Sequence, residues 1–180
     1  QTIRFWDYLD RTCAGTDFSA MGEGDIGALY IACHRAGALP TAERVAAYAQ
    51  RIEADGYVHP ASQRILDLWG EVFDTLGLPR DALVHSTPFG LDAPTVLARL
   101  DAQGLLLDQR GFGGGVYLDL TDEARPLRVL MSEHGLPNYL LAILRDLLDE
   151  APRHDTLCLY HDAGIQRDYE ALTRVFERLG

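Results

Sequence analysis

Lysine is absent: all 16 basic side chains of the 180-residue chain are arginines. Mechanisms that need a side-chain amine, such as a P-loop lysine or a Schiff base, are therefore excluded. A GC-rich coding bias accounts for the count, but the chemical consequence stands whatever its origin. Cysteine is scarce too. Cys13, Cys33 and Cys158 are odd in number and widely spaced, with no Cys-x-x-Cys pair, so buried free thiols are expected rather than a disulfide framework. Long apolar runs are missing: 28–33 and 139–144 are among the longest, far too short to cross a bilayer. No charged-then-apolar leader opens the sequence, so a cytoplasmic setting with no membrane association is expected. Clustered cations are also lacking. With a formal charge of −11 and scattered arginines, the chain has no electrostatic basis for gripping a phosphate backbone.

A hydrophobic content of 47% over this length provides for one sizeable core. Helical periodicity dominates the first eighty residues. Ile3, Phe5, Trp6 and Leu9 mark an amphipathic helix, and Asp25 reads as the cap of a short apolar helix over 26–34. Thr41 opens a helix that stops at Gly56. A longer one after Pro60 carries Ile65, Leu68, Trp69, Val72, Phe73 and Leu76 as an i, i+3, i+4 stripe ending at Gly77.

The second half mixes periods. Strands are expected at 81–86, 105–108, 115–120, 127–131 and 156–160, and helices at 93–102, 137–150 and 165–179. Strands alternating with helices in the last third predict an α/β layer with parallel pairing.

Three loops carry the polar chemistry. Gly111–Gly115 lies between two strands and leads into no helix, so it reads as a hairpin turn rather than a phosphate cradle. His161 and Asp162 follow the strand expected at 156–160. At a strand's carboxyl end they would face a ligand crevice as an acid/base or hydrogen-bonding pair; alternatively, Asp162 caps the last helix and His161 is a surface residue. Glu133 and His134 form a second polar loop before the helix that carries Tyr139, and would either share the crevice or serve as loop and cap. The remaining histidines have no ligand spacing with a carboxylate or thiol, so no metal site is assigned.

Taken in order, these segments resemble the catalytic core of arginyl-tRNA synthetase, a class I aminoacyl-tRNA synthetase. Gly24-Asp25-Ile26-Gly27 is similar to a Gly-Asp-Trp-Gly element, and 96–120 to a helix, a Gly-Leu-Leu strand and a glycine hairpin ending in Val-Tyr-Leu-Asp-Leu. Residues 128–132 resemble the strand before an Asp-Gly-Thr loop, and 156–180 the strand, Gly-Ala-Asp-Gln loop and closing helix.

The resemblance implies a Rossmann-like α/β core with parallel strands and a helical insertion. It implies one domain over 1–180, helical to about residue 80 and α/β beyond. It also implies ligase-type activation or transfer of an amino acid or aminoacyl group, with ATP as cofactor. Tyr139 falls on the family's substrate-contacting tyrosine; Asp25, in the element similar to Gly-Asp-Trp-Gly, and the loop residues Glu133, His134, His161 and Asp162 complete the candidate ligand contacts. No catalytic residue is assigned.

The departures change the expected chemistry. Ile143 stands where the family has the aspartate that meets the arginine guanidinium, and Asp162-Ala163-Gly164-Ile165 replaces the acidic and amide positions of the Gly-Ala-Asp-Gln loop. Asp168 aligns with a family histidine. His-x-Gly-His and the lysine-bearing loop, which handle the triphosphate, do not occur within these residues. Three readings stay open: a diverged activating enzyme, a non-catalytic binding or regulatory paralogue, and a fragment of a longer synthetase. Independent tRNA binding is not expected, and a partner chain or homodimer that completes the nucleotide site is.

Overall fold

The helices form where apolar periodicity and capping groups place them. In the computed structural model, which describes residues 2–78 and 90–179, α1 spans Thr2–Thr12, α2 Glu23–Ala36, α3 Ala42–Asp55 and α4 Pro60–Thr75. Next come α5 (Ala93–Ala102), β1 (Leu106–Asp108), β2 (Val116–Leu118), β3 (Arg128–Met131), α6 (Tyr139–Glu150) and α7 (Gln166–Leu179). Among the described residues, no helix is long and apolar enough to cross a membrane. The strand expected at 81–86 lies outside the described residues. The chain divides into two compact units, 1–88 and 89–180.

In the first unit α1 to α4 bury Phe5, Trp6, Leu9, Phe18, Ile26, Cys33, Tyr48 and Ala61. Caps fix the helix ends. Thr41 accepts a hydrogen bond from the Arg44 amide, while Gly37 and Gly56 close α2 and α3 in the left-handed region. Asp25 is not the cap expected of it. Gly22 occupies that position, and Asp25, one turn inside α2, accepts from the Gly22 amide at 2.9 Å. The apolar stripe of α4 is also covered less than its periodicity predicts: Trp69, Val72 and Leu76 are 49%, 53% and 65% exposed, and Ala61, Leu66 and Gly70 form the buried face.

Polar groups thread this core. Asp7, 1% exposed, is held by the guanidinium of Arg44 and lies 2.8 Å from Arg11, the latter contact being ionic without hydrogen-bond geometry. The Tyr48 hydroxyl donates to Asp10, whose other oxygen lies 3.3 Å from His59 Nε2. His59 is buried and caps α4, its Nδ1 accepting from the Ala61 amide at 3.1 Å. That bond fixes the neutral tautomer, with the proton on Nε2 facing Asp10.

The second unit is built on leucine. Val96, Leu100, Leu105, Val116, Leu118, Leu120, Leu130, Leu141, Leu144 and Leu172 are at most 1% exposed and share one core. The sheet is antiparallel throughout, in the order β1-β2-β3, with Leu107 opposite Tyr117 and Tyr117 opposite Val129. The hairpin expected at Gly111–Gly115 joins β1 to β2. A side chain at Gly115 would come within 2.4 Å of the Met131 carbonyl, so the close approach of β2 to β3 requires glycine there.

Among the described residues, the parallel, Rossmann-like sheet expected from the sequence is not present. Parallel pairing needs a crossover of a dozen or more residues, whereas short connections at 109–115 and 119–127 return each strand antiparallel. The one crossover-length link, through α6, does not deliver 156–160 to the sheet. The edge of β3 that a parallel neighbour would need is taken by 136–138: the Ser132 amide donates to Leu136 and the Asn138 amide to Leu130. Residues 156–160 form no strand and lie exposed, so Cys158 is an exposed thiol rather than a buried one. Cys33 is buried and Cys13 partly so.

Burial lowers the basicity of the His59 imidazole, and the Asp10 carboxylate only partly offsets this. A base with a depressed folded pKa binds fewer protons folded than unfolded. Its stability contribution is therefore full above the unfolded value near 6.5 and is lost as pH falls toward the folded value. Urea unfolding followed by the fluorescence of Trp6 and Trp69, both in the first unit, is expected to show a lower midpoint at about pH 5 than at about pH 7.5. His59→Asn, which keeps a capping oxygen without a titrating group, is expected to shrink that difference; an unchanged difference refutes the assignment.

Candidate functional site

Three elements of the second unit converge on one carboxylate. Tyr139 is the first residue of α6, placed there by Asn138, whose side-chain oxygen accepts from the Tyr139 amide at 2.7 Å. Asp168 lies in the first turn of α7, where the helix dipole favours a negative charge. Arg128 begins β3. The Tyr139 hydroxyl donates to Asp168 Oδ2, and Arg128 Nε lies 3.3 Å from Asp168 Oδ1.

The carboxylate is the best covered of the three groups, its side chain 18% exposed against 26% for Arg128, while Tyr139 as a residue is 44% exposed. Tyr139 and Arg128 thus stand toward solvent on either side of Asp168.

His161 packs on α7 one residue along from Asp168. Its ring stacks on Tyr169, the neighbour of Asp168, with centroids 4.4 Å apart and an interplanar angle of 26°. His161 Nδ1 is 2.9 Å from the Asp162 carbonyl oxygen, which can only accept, so Nδ1 carries the proton.

The other residues expected at the site take structural positions. Asp162 caps the short turn before α7 by accepting from the Gly164 amide at 2.6 Å. Glu133 and His134 face each other at 3.8 Å in an exposed turn, with side chains 58% and 79% exposed. Asp25 belongs to the first unit. Ile143 packs against the leucine core.

Of the residues singled out in the sequence, Tyr139 alone lies in this cluster; Asp168 and Arg128 were not among them. A signal existed for Asp168, since it aligns with a histidine of the resembled family. Nothing in the sequence marks Arg128 among 16 arginines.

A network of ion pairs holds α7 beside the link from β2 to β3. Arg174 lies 3.3 Å from Glu123, Arg178 2.8 Å from Asp122 and Arg125 3.4 Å from Glu170. Each surface pair is worth at most about 1 kcal/mol, but together they fix the position of the helix that carries Asp168.

A groove of about 330 Å³ opens elsewhere in this unit, lined by Leu97, Ala98, Asp101, Leu106, Asp108 and Arg110, among others. Its guanidinium is occupied: Arg110 donates to both Asp108 oxygens and holds that carboxyl down to about 2.

The cluster suits a zwitterion. A carboxylate flanked by a phenol and a guanidinium can accept an ammonium group, and the guanidinium N–H groups pointing away from it can take a carboxylate in a forked geometry.

If Tyr139 serves a ligand rather than the fold, Tyr139→Phe is expected to cost no more than about 1.5 kcal/mol in urea unfolding, since it removes one exposed hydrogen bond and leaves the ring. A loss of several kcal/mol would assign the residue to the core. No protein-family model matches the chain, and neither a curated protein nor a solved structure is detectably similar to it.

Proposed function

We propose that this chain is a diverged relative of arginyl-tRNA synthetase whose second unit binds an amino acid or aminoacyl group at Arg128, Tyr139 and Asp168. One observation carries the reading. The tyrosine on which the sequence resemblance converges shares a carboxylate with an arginine, which together supply the opposite charges that an α-amino acid needs. The ligand's ammonium group takes the place of one of Asp168's present partners, and its carboxylate takes the outer N–H groups of Arg128.

Binding without adenylation is the better supported form of this function. The residues present do not fit a nucleoside triphosphate: the glycine run leads into β2 rather than a helix N-terminus, and the nearest guanidinium is bound by Asp108. We assign no activation step to this site. The formal charge of −11 favours a small ligand over tRNA. A cytoplasmic setting belongs to the same proposal, supported by three free cysteines.

Thermal unfolding with each standard amino acid and its methyl ester, at millimolar concentration, tests the reading. At least one ligand is expected to raise Tm, since a ligand at a hundred times its Kd adds about 2.7 kcal/mol. Asp168→Asn is expected to abolish that shift while Glu133→Gln preserves it. No shift with any of these ligands, or a shift indifferent to Asp168→Asn, refutes the site. Amino-acid-dependent ATP–pyrophosphate exchange is expected to be absent, and its appearance would make the chain an activating enzyme.

A further inference from the structure

The segment 156–160 has the sequence of a strand but forms none. Its sequence, Thr-Leu-Cys-Leu-Tyr, has the β-branched and aromatic character of a strand, and the residues flanking it, His154 and Asp162, have extended backbones. No backbone hydrogen bond joins it to β3, whose free edge is filled by 136–138. Leu157 and Leu159 are 36% and 37% exposed, Tyr160 is 92% exposed, and the Cys158 thiol is exposed. An exposed apolar segment of strand-like sequence that belongs to no sheet is a template for another strand.

We propose that the strand it pairs with is the same segment of a second copy of this chain, in a symmetric antiparallel ribbon centred on Cys158. The sequence is complementary to itself in that register. An antiparallel twofold places Cys158 opposite Cys158 of the other copy, Leu157 opposite Leu159, and Thr156 opposite Tyr160. The flanks set a carboxylate opposite an imidazole on each side: Asp155 falls opposite His161, and His154, now 3.2 Å from Glu150, opposite Asp162.

A register shifted by one residue to either side loses this match. It brings leucines against the thiol and sets Asp155 against Tyr160 or Asp162, an uncharged or like-charged neighbour. Isologous interfaces require this kind of self-match, because each residue meets its counterpart through the same operator. Directly opposed residues on antiparallel strands are the pairs whose side chains interact most strongly.

Leu157 and Leu159 share one face of the segment and Thr156, Cys158 and Tyr160 the other, as period-two alternation dictates. The ribbon covers four leucines on one face and two thiols between two tyrosines on the other.

Opposed α-carbons in such a ribbon lie about 4.5 or 5.5 Å apart, within the roughly 4.4–6.8 Å range of a disulfide. Cross-linking of the intact chain therefore reads the register directly. Diamide takes up the two electrons and two protons released as two Cys158 thiols become one disulfide. It is expected to produce a covalent dimer that Cys158→Ser prevents and Cys13→Ser does not.

Sedimentation velocity is expected to show a concentration-dependent dimer that persists in Cys158→Ser. Leu159→Arg is expected to raise its Kd at least about tenfold while leaving the circular dichroism melt of the monomer in place. Asp155→Arg is expected to weaken the dimer, and the added exchange His161→Asp to restore it, because the charges then match again in reverse.

A chain that stays monomeric up to about 0.1 mM overturns the proposal. So does a dimer indifferent to Leu159→Arg, or a cross-link that forms through Cys13.

Discussion

The shared leucine core of the second unit is the constraint on which the candidate site depends. Leu130 on β3, Leu141 and Leu144 on α6, and Leu172 on α7 are buried in one cluster. Arg128, Tyr139 and Asp168 lie on the same three elements, two to four residues from those leucines. Once the leucines are buried together, the spacing along each element leaves the polar groups little freedom except to meet at the rim. The hydrogen bond from Tyr139 and the ion pair from Arg128 are consequences of that packing, and they hold the carboxylate where the first turn of α7 already favours it.

The first unit solves a different problem. It buries a carboxylate and an imidazole among aromatic rings, which costs free energy unless each finds partners. Arg44 and Arg11 serve Asp7, while the Ala61 amide and Asp10 serve His59. Such networks gain little over an apolar core of the same shape, but losing one member leaves a buried group unsatisfied. They therefore specify one arrangement of α1, α3 and α4 rather than supply most of its stability.

Local structure was legible because its causes are local. Apolar residues three and four apart, Thr41 at a helix start, and glycines at 56 and 77 fixed the helices within a few residues of where they stand. The strands at 106–108, 116–118 and 128–131 were legible for the same reason, as was the hairpin between the first two. Their assembly was misread. The alternation of strand and helix suggests a crossover, and only the return of 136–138 along β3 shows that the edge was already taken. The exposed half of the α4 stripe was unreadable in a similar way, because periodicity locates an apolar face without showing what covers it.

What the sequence by itself determined is the chemistry available and the local elements: no amine, an acidic surface, free thiols, the helices of the described residues and a tyrosine at the start of one of them. Tertiary structure alone decided that the sheet is antiparallel, that 156–160 stays outside it, and that Asp168 and Arg128 share the tyrosine's surroundings. The physical reason is one of range. Capping and periodicity act within a few residues, so they are written along the chain, whereas strand pairing and side-chain convergence depend on which backbone edge and which core face are filled first.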